Sequence, residues 1–360
     1  MIENLLYIGE EVQHISTGAD AVNLRNYEIL KHIFKEHFYH YPLKYENKFI
    51  TFYNLLLKNC GIIKSSDYSH IIQNIKKNHI SSIFLWSSKL GKLASILRRE
   101  FPNVRIITFF HNIEKQYYSE SLKFNSSLKN KFIASCVSHN EFLAVKNSDI
   151  VITLNNRDTQ LLKDIYCCKS TFELPISFKD RYNQEKESKV KASNTNKRQK
   201  LLFVGSNFFG NNIGLDWFLR EVMPNLTNVE LTIAGKGMSS RFKSDENIQV
   251  FDYVSDLSEL YYSTDVVIAP IFNGGGMKTK IAEAIMYGCP IIGTKESFEG
   301  YNFDYNRIGG ISQTPQEMVD TILRLKDTII LQECRKYARE IYLNNYSFES
   351  SLRIMRRHLL

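Results

Sequence analysis

NGGGMKTKIAEAIMYGCPII, residues 273–292, sets three glycines directly before a stretch of helical periodicity and closes it with Gly288 and Pro290. The apolar run DVVIAPI (265–271) leads into it, so the order is strand, glycine loop, helix. Glycines at such a junction let an anion approach the backbone N–H groups of a helix N-terminus, where the dipole already favours negative charge. Gly274, Gly275 and Gly276, followed by Met277, Lys278, Thr279 and Lys280, form a candidate phosphate cradle. A P-loop does not fit, because G-x-x-x-x-G-K-[ST] needs a glycine before the lysine, and Met277 stands there. A diphosphate fits better. Glu283, one turn into the helix, is placed to accept hydrogen bonds from vicinal hydroxyls, as ribose-binding acids do.

The same alternation runs outward in both directions. KLLFVGS (200–206), VELTIAG (229–235), IQVFDYV (248–254) and PIIGT (290–294) read as strands, and LDWFLREVMPNL (215–226) as a helix. Nearer the start, NLLYIG (4–9), SSIFLW (81–86), VRIITFF (104–110) and DIVITL (149–154) read as strands. AVNLRNYEILKHIF (21–34) and KLGKLASILRREF (89–101) read as amphipathic helices. Short apolar strands separated by helices predict an α/β chain of two Rossmann-like domains, each a parallel sheet covered on both faces. KDRYNQEKESKVKASNTNKRQK (179–200) is polar and reads as a linker. The expected domains are therefore 1–178 and 201–339, with the helical stretch at 340–360 returning to pack on the first.

Further candidate residues lie in strand-to-helix turns. FVGSNFFGNNIGLDWF (203–218) supplies Gly205, Ser206 and Asn211, and IAGKG (233–237) supplies Lys236. In the first half, STGADAVNLRN (16–26) centres on Gly18. TFFHNIEKQYY (108–118) puts His111, Asn112 and Glu114 just past a strand end, where such folds hold ligands.

Composition narrows the class. With 360 residues and 43% hydrophobic content the chain can build two cores. It has no apolar run long enough to span a bilayer, and MIENLLYIGEEV carries acids where a signal peptide is basic, so a cytoplasmic location is expected. The six cysteines are scattered without metal-ligand spacing, D-x-D is absent, and neither a metal nor a cofactor is expected. The net charge of +8 is uneven: residues 1–178 carry 22 Lys/Arg against 16 Asp/Glu, residues 179–200 carry 8 against 3, and the remainder 16 against 19. A basic first half suggests an anionic surface as partner; no nucleic-acid motif accompanies it.

VGSNFFGNNIGLDWFLREVMP resembles the start of the second domain in GT-B glycosyltransferases of the retaining, glycogen-synthase-like kind, through Asn211, Gly214, Trp217, Phe218, Val222 and Pro224. GGGMKTKIAEAIMYGCPIIGTKESFEGY resembles the nucleotide-sugar signature of that family, with Lys280, Glu283, Ala284, Gly288, Pro290, Glu299 and Gly300 matching beside the glycines. FFHNIE is similar to its HN-x-E stretch. The resemblance implies two domains facing each other across a cleft, a nucleotide-diphosphate sugar (expected as a UDP-sugar) on the second, and a saccharide acceptor on the first. It also implies diphosphate on the glycine run, ribose on Glu283, the base near Tyr253 and Val254, and transfer with retention.

Two departures stand out. Relatives carry a glutamate eight positions before the ribose acid, where this chain has Gly275, and SNFFGNNIG lacks their arginine–lysine pair. Lys280, Lys278 and Lys236 are the substitutes expected on the phosphates, with His111, Lys280 and Lys278 as the catalytic set and Gly18, Asn112 and Glu114 on the acceptor side. The alternative is a catalytically silent subunit that binds a partner transferase or its acceptor. EHFYHYPLKYENKF (36–49) and KLGKLASILRRE (89–100) interleave basic with apolar residues. They suggest docking on an anionic membrane face and a lipid-linked saccharide acceptor, as in surface-polysaccharide assembly.

Overall fold

The structure is a computed structural model that describes residues 3–10, 18–44, 53–60, 62–124, 126–193, 198–273 and 276–360. It divides into two compact units, Met1–Pro175 with Leu352–Leu360, and Ile176–Ser351.

The first unit holds six parallel strands: β1 (Leu5–Glu10), β2 (Phe38–Leu43), β3 (Ser82–Leu85), β4 (Arg105–Phe110), β5 (Ile150–Thr153) and β6 (Phe172–Glu173), in the order β2-β1-β3-β4-β5-β6. The apolar runs chosen from sequence supply β1, β3, β4 and β5. Strand β2 escapes that reading because FYHYPL has no continuous apolar run and contains Pro42, which an edge strand tolerates. Its Tyr39 and Tyr41 pack on the core made by Leu6, Ile8, Ile83 and Leu85 with Ile71 and Ile75. Helix Gly91–Glu100 buries Leu93, Ala94 and Leu97 in the same core. Of the two stretches read as a membrane-facing surface, the helix buries Leu93, Ala94 and Leu97, while β2 buries Leu43 and leaves residues 38–42 half-buried; residues 45–49 lie outside the described residues. Leu352–Leu360 joins this unit through Arg105 Nη2, which donates to the Leu359 carbonyl at 2.9 Å, and through His358, stacked 4.3 Å from Phe172.

The second unit holds β7 (Gln199–Val204), β8 (Val229–Ala234), β9 (Ile248–Phe251), β10 (Val266–Ala269), β11 (Ile291–Gly293) and β12 (Gly309–Ile311), all parallel in the order β12-β11-β10-β7-β8-β9. Successive strands add on one side of β7 and then on the other, so the switch point lies between β7 and β10. The helix expected over 215–226 instead spans Phe209–Trp217. A π turn, Phe218–Val222, and a 3-10 turn, Met223–Asn225, finish it; Pro224 sits in the latter, lacking the N–H that a continued helix needs. Residues 179–200, expected as a linker, belong to this unit and carry helix Gln184–Ser193. That helix buries no residue and is held by polar contacts: Lys186 Nζ to Asp256 at 2.7 Å, and the Asn183 N–H to the Tyr262 hydroxyl at 2.8 Å. Divided by these units, the charge is 25 Lys/Arg against 16 Asp/Glu in the first and 21 against 22 in the second.

Candidate functional site

In the second unit the loops leaving β7 and β10 emerge side by side. The first runs through Gly205 and Ser206 into helix Phe209–Trp217, which carries Asn211; the second leads past Gly276 into helix Thr279–Met286, which carries Lys280 and Glu283. Lys280 Nζ donates to Asn211 Oδ1 at 2.9 Å and sits 4.2 Å from the centre of the Phe203 ring. A β-carbon on Gly205 would lie 2.8 Å from both Lys280 Nζ and Asn211 Nδ2, so only glycine leaves room for that convergence. Burial, reinforced by Lys278, pushes the Lys280 ammonium down to about 7, while Glu283 works the other way. Among the described residues its hydrogen-bonded acceptor is a neutral amide, so when protonated Lys280 is a buried charge that an anion would complete.

Glu283 lies one turn further along. Burial raises its pKa, opposed by Arg181 and Lys280; the Arg181 guanidinium is 3.5 Å from its carboxylate. Arg181 comes from the stretch read as a linker, and no local motif marks it. Lys278, expected on the phosphates, has its Nζ engaged by the Glu296 carboxylate and the Gly276 carbonyl, each at 2.9 Å. Met277 is buried and Thr279 opens the helix. Ser206 is exposed, and its carbonyl accepts from Asn211 Nδ2 at 2.8 Å. Lys236 is exposed in the turn after β8. Tyr253 (83% exposed) and Val254 follow β9, the edge strand of the sheet. Gly274 and Gly275 lie outside the described residues.

In the first unit, β4 ends at Phe110 and delivers His111, whose Nε2 is 2.7 Å from Asn23 Oδ1 on helix Gly18–Phe34. Burial first, then the charges of Lys89 and Arg25, hold this imidazole down at about 3, so it is neutral at neutral pH. Around it, Asn23 Nδ2, Trp86 Nε1 and Ser88 Oγ are buried with no hydrogen-bond partner among the described residues. Such orphaned groups suit a hydroxyl-rich ligand. Glu114 is less available than its motif suggests: it is buried and paired with Lys89 Nζ at 3.2 Å. Beneath it Glu141, pushed up to about 6 by burial, accepts the Glu114 and Lys115 N–H groups at 2.5 and 3.1 Å, fixing the start of helix Glu114–Phe124. Lys89 and Glu141 were not legible as site residues. Gly18 opens its helix and Asn112 is half-buried. Among the described residues no group of three or more His, Cys, Asp or Glu side chains could hold a metal ion.

Two Rossmann-like units with these strand orders define the GT-B architecture. Residues 198–327, within the second unit, match the family described as Glycosyl transferases group 1. A 44.6 kDa protein in the cps region of Klebsiella pneumoniae is 30% identical over 164 residues, a match spanning 41% of each chain. Sucrose-phosphate synthase from Thermosynechococcus elongatus shares the fold with a TM-score of 0.72 at 14% identity, covering 98% of both chains. HepE of Anabaena, solved with UDP and glucose, superposes with a TM-score of 0.67 at 14% identity over 99% of both chains.

Proposed function

We propose that this chain is a glycosyltransferase that takes a sugar from a UDP-sugar and adds it, with retention and without a metal, to a lipid-linked saccharide in surface-polysaccharide assembly. The observation that carries this reading is Lys280, a buried cation at the β7/β10 switch point beside a helix N-terminus, with Glu283 one turn on. In the proposed reaction the bond from the anomeric carbon to the diphosphate oxygen breaks while an acceptor hydroxyl attacks from the same face, its proton passing to the departing diphosphate oxygen. Lys280 and the helix N–H groups stabilise the charge gathering on the departing diphosphate, the task that dominates such transfers. Glu283 holds the ribose hydroxyls. The neutral His111 and the orphaned polar atoms around it receive sugar hydroxyls on the first unit. HepE, whose structure holds UDP, supports the choice of nucleotide, and the cps-region relative supports the polysaccharide setting.

The test is calorimetry with UDP, GDP, ADP and dTDP, followed by assay of UDP-sugar turnover. Binding of UDP at micromolar affinity that Lys280→Met weakens at least tenfold is the expected result. No nucleotide binding would overturn the reading, and binding without turnover, with or without acceptor, would favour the silent subunit.

A further inference from the structure

Helix Leu128–Asn147 has a buried apolar side and an outer side on which large apolar residues alternate with polar ones. Ala134, Cys136, Val137 and Ala144 are buried, yet Leu128 (86% exposed), Phe132 and Phe142 recur at helical spacing on the outer side. Its inner side rests on a small cluster, Cys60, Cys136 and Val137 with Leu55, Tyr118 and Ile133. That cluster also anchors helix Glu114–Phe124 and the segment 53–58, tied down by Asn140 Nδ2 to the Lys58 carbonyl at 3.1 Å and Lys92 Nζ to the Leu57 carbonyl at 2.7 Å. Both neighbours expose large side chains too: Tyr53 (61% exposed), Leu56 and Tyr117. These exposed side chains sit on three segments that share one buried cluster, so they lie on the same part of the first unit.

The charges framing them have one sign. Segments 53–60 and 114–147 hold six lysines against three carboxylates; Glu114 and Glu141 are buried and engaged, leaving Glu120 as the acid at the surface. The whole unit carries an excess of nine positive charges.

We propose that this face of the first unit, centred on Leu128, Phe132 and Tyr117 and flanked by Lys129 and Lys131, docks on an anionic lipid surface. Single apolar residues spread along three segments make a dispersed strip suited to shallow insertion between headgroups. Tyrosine places its hydroxyl at the polar level of such an interface, and lysines meet the anionic headgroups. A second copy of the chain would bring the same lysines together and is disfavoured by like charge. The face belongs to the first unit and the nucleotide cluster to the second, so docking and UDP binding are tested separately.

The experiment is co-sedimentation of the full chain with vesicles of phosphatidylcholine alone and of phosphatidylcholine with an equal part of phosphatidylglycerol, at low and high salt. Binding to the anionic vesicles, lost at high salt and reduced at least tenfold in both Leu128→Ser/Phe132→Ser and Lys129→Glu/Lys131→Glu, is expected. UDP affinity should be unchanged in both variants, and a parent-like circular-dichroism spectrum and thermal midpoint show that the first unit still folds. The proposal fails if anionic vesicles are not bound at low salt, or if both variants bind like the parent. It also fails if the exposed residues instead drive self-association, or association with an acidic protein, with no vesicle binding.

Discussion

Lys280 Nζ and Asn211 Oδ1, 69 residues apart in sequence, meet at 2.9 Å and join the two loops that leave the centre of the second sheet. The bond holds a lysine whose pKa is down at about 7, so a group normally insensitive to physiological pH titrates within that range.

Nucleotide affinity should therefore depend on pH. UDP-glucose keeps a fully ionised diphosphate, which binds the charged lysine. Affinity is full below about 7 and falls as pH rises through 7, levelling once the bound-state pKa is passed. Calorimetry across this range should show that fall, with proton uptake above neutrality. Lys280→Met should remove the dependence and at least nine-tenths of the affinity. Because the folded pKa is depressed from 10.5, the unfolded state binds more protons between about 7 and 10.5, so this group's destabilising effect lessens as pH rises. The thermal midpoint of Lys280→Met should equal or exceed the parent's at neutral pH.

Two glycines separate binding from stability. Gly205→Ala sets a β-carbon against the flexible Lys280 head, so affinity should drop severalfold with little loss of stability. Gly214→Ala meets the Pro270 carbonyl at 1.6 Å, backbone that cannot swing aside, and should cost roughly 1–3 kcal/mol or more. Chemical denaturation beside UDP titration would distinguish them.

Glu283→Gln keeps the shape and removes the charge; hydrogen bonds to ribose should weaken by about 1–3 kcal/mol. Its partner Arg181 is largely exposed, and such a pair contributes only about 0–1 kcal/mol to stability. An effect of Arg181→Ala on KM for the donor, with an unchanged thermal midpoint, would assign it to ligand binding.

His111 should not titrate in the ordinary histidine range. Its folded pKa lies below the unfolded value of 6.5, so the unfolded state takes up a proton first, and stability falls as pH drops from 6.5 towards about 3. The imidazole C–H resonances should stay fixed through neutrality, and His111→Gln should flatten that part of the stability profile.

Turnover should persist in excess EDTA, because lysine and the helix N-terminus provide the positive charge. Loss of activity that Mg²⁺ or Mn²⁺ restores would contradict metal-independent transfer.

The sequence by itself determined the elements whose information is local. Apolar runs such as DVVIAPI and VRIITFF name their own strands, and a glycine loop before a helical period names a strand–loop–helix junction, because pleat, period and backbone freedom act over a few residues. Edge strand β2 and the two-residue β6 were illegible because their pairing partners, not their composition, make them strands. Tertiary structure alone decided which lysine is electrostatically open. Lys278 and Lys280 read alike in MKTK, yet Glu296 neutralises one while Asn211 and Phe203 surround the other. It also brought Arg181 to Glu283, joined Lys89 to Glu114, and placed residues 38–43 in an edge strand. Charge state and exposure depend on neighbours supplied from distant parts of the chain, and those neighbours exist only once the sheets have formed.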